Sequence, residues 1–171
     1  MMIKYATPLL ITASLVLAGC SKKAPEELPP PPVGTETPTQ TPTGPAGPGY
    51  SPGSQGDFLA NTMSDRILFD TDRFNIDPQD QAVLQSQAQW LAGNPNARIT
   101  IEGHADERGT RDYNLALGER RANAAKNYLA SLGVSPSRMT TVSYGKERPE
   151  ALGSDERAWA QNRRAVSVVV R

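Results

Sequence analysis

The densest run of chemically able side chains is Gly103-His104-Ala105-Asp106-Glu107-Arg108-Gly109-Thr110, followed by Tyr113-Asn114-Leu115-Ala116-Leu117-Gly118-Glu119-Arg120-Arg121-Ala122. These residue types predict a strand that gives way to a polar turn and then to a helix start. There, unpaired backbone N–H groups and the helix dipole favour an anion. Asp106 falls in the turn. Arg121 falls on the helix, on one stripe with Asn114 and Leu117, because offsets of three and four residues place side chains above one another. An acid and a base so placed either close a salt bridge between turn and helix or contact a ligand. The residues alone leave both readings standing.

Other chemistries fit this run less well. Gly-His-x-Asp occurs in some zinc peptidases, but a zinc site recruits three or four ligands from Cys, His and carboxylates. His104 is the only histidine, and the only cysteine is Cys20. The chain has no Gly-x-Ser-x-Gly elbow, no phosphate-binding glycine loop and no second histidine to act as a base for a nucleophile. Asp70 and Asp72 could be paired acids for glycosidic cleavage; they are read instead as ending a strand and lining a binding turn. The expectation is a protein that binds and does not catalyse, with no metal and no cofactor.

The elements that hold these residues follow from the flanking pattern. Residues 64–69 carry Ile67-Leu68-Phe69 and read as a strand, left through Asp70-Thr71-Asp72. Asp77-Pro78 is a helix start, since the carboxylate can cap open N–H groups and proline suits the first helical position. That helix should run to Leu91 or Ala92, bury Val83, Leu84, Ala88 and Leu91, and stop at Gly93-Asn94-Pro95. Residues 98–103 alternate, with Ile99 and Ile101 inward. A second helix is expected over 111–131, capped by Thr110 and ended by Gly133, with Leu115, Ala122, Ala125, Leu129 and Leu132 for its core face. Residues 139–144 and 165–170 read as further strands, with a short helix near 156–161 between them. Trp90 is expected at a helix edge and Trp159 in the late polar loop. The result is an α+β sandwich: about four strands in a mixed sheet, with two main helices packed on one face. Each strand before a helix can pair parallel with the strand after it through a right-handed crossover.

The whole chain sets the outer limits. Its 171 residues carry 18 Lys plus Arg against 18 Asp plus Glu, so no bulk charge steers it toward nucleic acid or an anionic membrane surface. There is room for one folded domain of about 110 residues, expected over 57–171. Residues 20–56 are rich in Pro, Gly, Thr and Ser, including Pro29-Pro30-Pro31-Pro32, and have almost no large apolar residues to offset the entropy of ordering. They read as a leash, reaching about 110 Å as polyproline helix and averaging about 35 Å as a flexible coil. Residues 1–19, with Lys4 and an apolar run from Leu9 to Ala18, read as a secretory signal too short to remain as a membrane span. A single cysteine cannot form an internal disulfide, so Cys20 needs another use.

The run quoted first resembles the OmpA-like peptidoglycan-binding domain family, and most closely its peptidoglycan-associated lipoproteins from Gram-negative bacteria. The likeness continues through Val142-Ser143-Tyr144-Gly145-Lys146, Pro149, Leu152-Gly153 and Asn162-Arg163-Arg164-Ala165-Val166. Leu17-Ala18-Gly19-Cys20 looks like a lipobox, which implies a lipid on Cys20, and Ser21 behind it resembles a signal for delivery to the outer membrane. The resemblance implies binding of meso-diaminopimelate in the peptidoglycan stem peptide, with Asp106 taking its ammonium and Arg121 its carboxylate. It places Asn114, His104, Thr71 and Asp72 around the same pocket. It further implies a tether between outer membrane and cell wall, working in envelope integrity and cell division with TolB and other Tol-Pal components. A wall cross-linked through lysine lacks the terminal carboxylate and should bind more weakly by about 1–3 kcal/mol. Two departures stand out: Arg111-Asp112 replaces a common Pro-Glu pair, and Thr71 replaces a common aromatic residue.

Overall fold

The computed structural model describes residues 49–170. The expected signal peptide over 1–19, the lipidated Cys20 and the leash as far as residue 48 lie outside the described residues. The elements run α1 (Gln55–Asn61), β1 (Arg66–Leu68), α2 (Pro78–Gly93), β2 (Arg98–His104), α3 (Arg111–Ser131), a single 3-10 turn (Pro136–Arg138), β3 (Met139–Gly145), α4 (Glu156–Asn162) and β4 (Arg164–Val170). Among the described residues no helix is long and apolar enough to cross a membrane.

Local signals place the two main helices. The Asp77 carboxylate accepts from the Asp80 N–H at 2.8 Å, with Pro78 opening α2. Thr110 Oγ1 accepts from the Tyr113 N–H at the start of α3. Between the helices and the sheet lies the core, with Leu84, Leu91, Ile99, Ile101, Ala122, Ala125 and Leu129 all buried. The core face of α3 is shifted from the expected one. Leu115 is half-buried and Leu132 is 40% exposed at the helix end, whereas Asn114, Leu117, Gly118 and Arg121 are buried. A stripe sought among apolar residues alone misses a helix whose first turns bury polar side chains.

The sheet order is β1-β4-β2-β3. β2 and β3 pair in parallel across α3, with Ile99 opposite Met139, as the crossover argument expects. β1 and β2 do not pair: β4 lies between them and is antiparallel to both, with Ala165 opposite Ile67 and also opposite Gly103. The last strand thus inserts where the sequence pattern suggested a second parallel pair. Periodicity reports which face a strand buries and carries no information about which neighbour it joins.

α1 is an addition. Phe58 is fully buried and meets Trp90 edge-on at 4.9 Å between ring centres, while the Trp90 indole donates to Asp57 Oδ2 at 3.1 Å. Gln55 Oε1 accepts from the Val169 N–H at 2.6 Å. Ordered packing therefore starts ahead of residue 57. Seven residues with one core side chain give too short a pattern to read as a helix.

One contact sets the geometry of everything that follows. α3 crosses β2 at two glycines so closely that a methyl group on Gly103 would stand 1.8 Å from the Gly118 carbonyl oxygen. Only two residues without Cβ permit this approach. It brings Arg121, one turn beyond Gly118, to the end of β2.

Candidate ligand-binding cleft

β2 ends in an irregularity, its register against β3 shifting between Gly103 and His104. The Ala105 N–H still donates to the Gly145 carbonyl at 2.8 Å, and the chain then turns through 106–110 into α3. Facing this turn is the segment that leaves β1. Between them opens a cleft of about 250 Å³, to which Thr71, Asp72, Asp106, Asn114 and Arg121 all contribute. Five of the six ligand residues expected from sequence are thus brought together.

Arg121 is wholly buried, and its guanidinium is tied to main chain. Nη1 donates to the His104 carbonyl at 2.7 Å, Nε to Arg73 at 2.9 Å and Nη2 to Asp70 at 3.1 Å. The Phe69 ring lies 5.2 Å from its centre. Three of the five donors of a guanidinium are therefore committed to the protein, and the rest are left for the cleft. Burial pushes its pKa down to about 10, against the pull of Asp106, so the cation persists at neutral pH. Arg121 pins the segment after β1 to the end of β2, and in doing so builds the cleft that it lines.

Asp106 is also buried, and among the described residues it forms no salt bridge with Arg121. Its partners are Arg108 and Arg163. Oδ1 accepts from the Arg108 backbone N–H and from Arg108 Nε, each at 3.1 Å, and Oδ2 accepts from Arg108 Nη2 at 2.7 Å. Arg163 Nη1 stands 3.5 Å from Oδ2. Burial alone would raise the pKa of this carboxyl, but the hydrogen bonds and charge of Arg108 outweigh it and hold the group below the usual carboxylate range. Asp106 is an anion at neutral pH.

The remaining wall is held by side chains that tie loops together. Asn114 Nδ2 donates to the Arg108 carbonyl at 2.7 Å and fixes the turn against α3. Asp72 adopts a left-handed backbone, φ 56°, which aspartate tolerates better than most side chains. Its Oδ1 accepts from the Tyr113 hydroxyl at 3.2 Å. Thr71 Oγ1 accepts from Arg108 Nη2 at 3.3 Å.

His104 corrects the sequence reading. Successive strand residues point to opposite faces, and the His104 ring projects away from α3, 5.6 Å from the Tyr144 ring and 3.6 Å from Glu102 Oε2. Only its carbonyl serves the cleft. Conversely, Arg108 and Tyr113 line the cleft without being expected there. The available signal for Arg108 is its place two residues past Asp106 on the same polar turn. Arg163, just ahead of the last strand, reads from sequence as either a structural charge or part of the pocket rim; in the fold it is buried and brings Nη1 within 3.5 Å of Asp106 Oδ2. Among the described residues no three His, Cys, Asp or Glu side chains are grouped to hold a metal.

A split mixed sheet under two helices, with a charged cleft where β2 runs into α3, defines an OmpA-like domain, and the OmpA family profile matches residues 68–163. A peptidoglycan-associated lipoprotein of Agrobacterium fabrum is 52% identical over 159 residues, covering 93% of this chain and 84% of that protein. The crystal structure of the peptidoglycan-associated lipoprotein from Burkholderia pseudomallei superposes with a TM-score of 0.62 at 49% identity, over 66% of this chain and 93% of that one. The C-terminal domain of Helicobacter pylori MotB shares the fold alone, with a TM-score of 0.59 at 19% identity over 63% of this chain and 84% of that one. The chain belongs to the OmpA family, among its peptidoglycan-associated lipoproteins.

Proposed function

We propose that this protein binds peptidoglycan non-covalently, taking the zwitterionic side-chain end of meso-diaminopimelate into the cleft between the β2 turn and α3. The observation that carries this reading is the pairing, in one cleft, of a buried carboxylate that stays ionised with a buried guanidinium that keeps donors to spare. Asp106 accepts the ligand's ammonium. The uncommitted donors of Arg121 take its carboxylate. The names of the relatives agree with a wall ligand.

The cleft binds without catalysing. A carboxyl held below its usual range is a poor proton donor at neutral pH, and the one imidazole is sealed on the other side of the sheet. In the same reading Cys20 carries the lipid, residues 1–19 are the signal that is removed, and the stretch behind Cys20 is a leash. The domain then lies in the periplasm and ties the outer membrane to the wall, with TolB and the other Tol-Pal components as protein partners.

The test is calorimetric titration of the full chain in detergent with a meso-diaminopimelate muropeptide and its lysine counterpart. Saturable binding of the first, weaker binding of the second and loss of both in folded Asp106→Asn supports the reading. Equal binding of the two muropeptides, or none, overturns it.

A further inference from the structure

Three guanidinium groups converge near Asp106, and they are held in different ways. Arg121 donates to three backbone carbonyls. Arg163 donates from Nε to the Phe69 carbonyl at 2.9 Å and from Nη2 to Glu156 at 2.7 Å, and is buried. The Arg108 guanidinium donates only to side chains, Asp106 and Thr71, and rests against the face of Trp159 at 4.2 Å. Its side chain is 39% exposed, against 9% for that of Asp106 beneath it. Arg108 alone can therefore leave Asp106 without breaking a side-chain bond to the main chain.

Its departure would not disorder the acid. The Arg108 backbone N–H holds Asp106 Oδ1 at 3.1 Å whatever the side chain does. The bond that opens on Oδ2 is the 2.7 Å contact from Nη2, the shortest that Asp106 makes. A place to go is also present. Trp159 is fixed by its indole N–H to Glu107 Oε1 at 3.0 Å, and an aromatic face supports a guanidinium over a range of positions.

Resting on the diaminopimelate reading above, we infer that Arg108 is a displaceable gate: its guanidinium occupies Asp106 until a ligand's ammonium replaces it, and the released cation then pairs with the ligand's carboxylate. The gate makes selectivity a matter of exchange. A ligand with an ammonium and no neighbouring carboxylate must break a charge-assisted bidentate pair and brings Arg108 no anion in exchange. A zwitterion returns the partner that it takes. Discrimination between diaminopimelate and lysine therefore resides on Arg108 as well as on Arg121, most of whose donors are already committed.

The experiment compares the full chain in detergent with its Arg108→Gln and Arg108→Lys variants, titrating each with the meso-diaminopimelate and lysine muropeptides. Arg108→Gln should shrink the preference for diaminopimelate by about tenfold, chiefly because the lysine muropeptide now binds more tightly. Arg108→Lys should recover part of the preference, since an ammonium competes for Asp106 without the bidentate fork. In the wild type, the Nε–H resonance of Arg108, assigned by its loss in the variants, should move when diaminopimelate muropeptide saturates the protein. A preference unchanged in Arg108→Gln, equal weakening of both ligands, or an Nε–H signal that stays put at saturation overturns the gate and leaves the diaminopimelate reading intact. A wild type that takes up neither muropeptide overturns that reading, and the gate with it.

Discussion

Arg121 and His104 meet at the end of β2, the arginine donating to the histidine's own carbonyl, and both are essentially inaccessible to solvent. Their surroundings differ in kind. On the helix side of the strand, each nitrogen of the guanidinium has a carbonyl within 3.1 Å. On the other side, neither nitrogen of the imidazole has a hydrogen-bond partner. Burial of a polar group costs little when its bonds are met and much when they are not. One face has spent its polarity on holding two segments together around a cleft. The other has sealed in a group that must stay uncharged.

The largest effect should come from breaking the satisfied side. Arg121→Met leaves the carbonyls of Asp70, Arg73 and His104 without their donor and should cost about 3–5 kcal/mol. For a domain of this size that lowers Tm by roughly 10–20 °C. Thermal and denaturant unfolding would show it. A loss below about 1 kcal/mol would mean that the guanidinium is not what holds the segment after β1 in place.

The unsatisfied side should respond to pH. Burial pushes the His104 pKa down to about 4, with the charges of Arg164 and Arg148 acting in the same direction. The unfolded chain, with an ordinary histidine near 6.5, binds a proton that the native state refuses between these values. Stability from this source is therefore complete above about pH 6.5 and falls as pH drops toward about 4, by roughly 3 kcal/mol in all. His104→Phe should flatten the unfolding free energy across that window relative to wild type. Curves that run parallel would show the imidazole protonated in the native state. Asp106, held low instead, loses its contribution only at more acid pH.

How much of this contrast the sequence disclosed depends on the range of the interaction. Both main helices and their caps at Asp77 and Thr110 were legible, because capping and periodicity are local. Asn114 and Arg121 were legible as neighbours through helical spacing, and the resemblance joined Asp106, in the turn ahead of that helix, to the same pocket. What escaped were partners chosen by the whole fold: β4 between β1 and β2, Arg163 beside Asp106, and Arg121 bonded to main chain rather than to Asp106. His104 was misplaced for a simpler reason. Strand alternation extended one residue past Gly103 puts its ring on the face opposite the helices, whereas the resemblance groups it with the cleft.

A smaller effect should separate the two faces cleanly. A methyl group on Gly118 would stand 2.8 Å from the Gly103 carbonyl oxygen and 2.4 Å from Ser143 Oγ. Gly118→Ala must then lift α3 from β2, at a cost of about 1–3 kcal/mol. The lift should lengthen the bond from Arg121 to the His104 carbonyl while leaving the His104 ring in its packing. Side-chain NMR should accordingly move the Arg121 Nε–H resonance and leave the His104 titration where it was. Movement of both would mean that the strand end shifts as a unit.

The smallest effect lies at the exposed rim, where Tyr113 and Asp72 share a hydrogen bond of 3.2 Å between side chains that solvent reaches. Water replaces such a bond nearly in full, so Tyr113→Phe should change unfolding free energy by less than about 0.5 kcal/mol. The rim nonetheless sets the position of Asp72, whose left-handed backbone has no helix or strand to enforce it. If Asp72 helps receive the ligand's ammonium, Tyr113→Phe should weaken the diaminopimelate muropeptide by about threefold while Tm stays fixed, a change under about 1 kcal/mol. Unchanged affinity would confine recognition to the buried floor of the cleft. Binding and folding would then depend on the same two buried charges, with the rim serving neither.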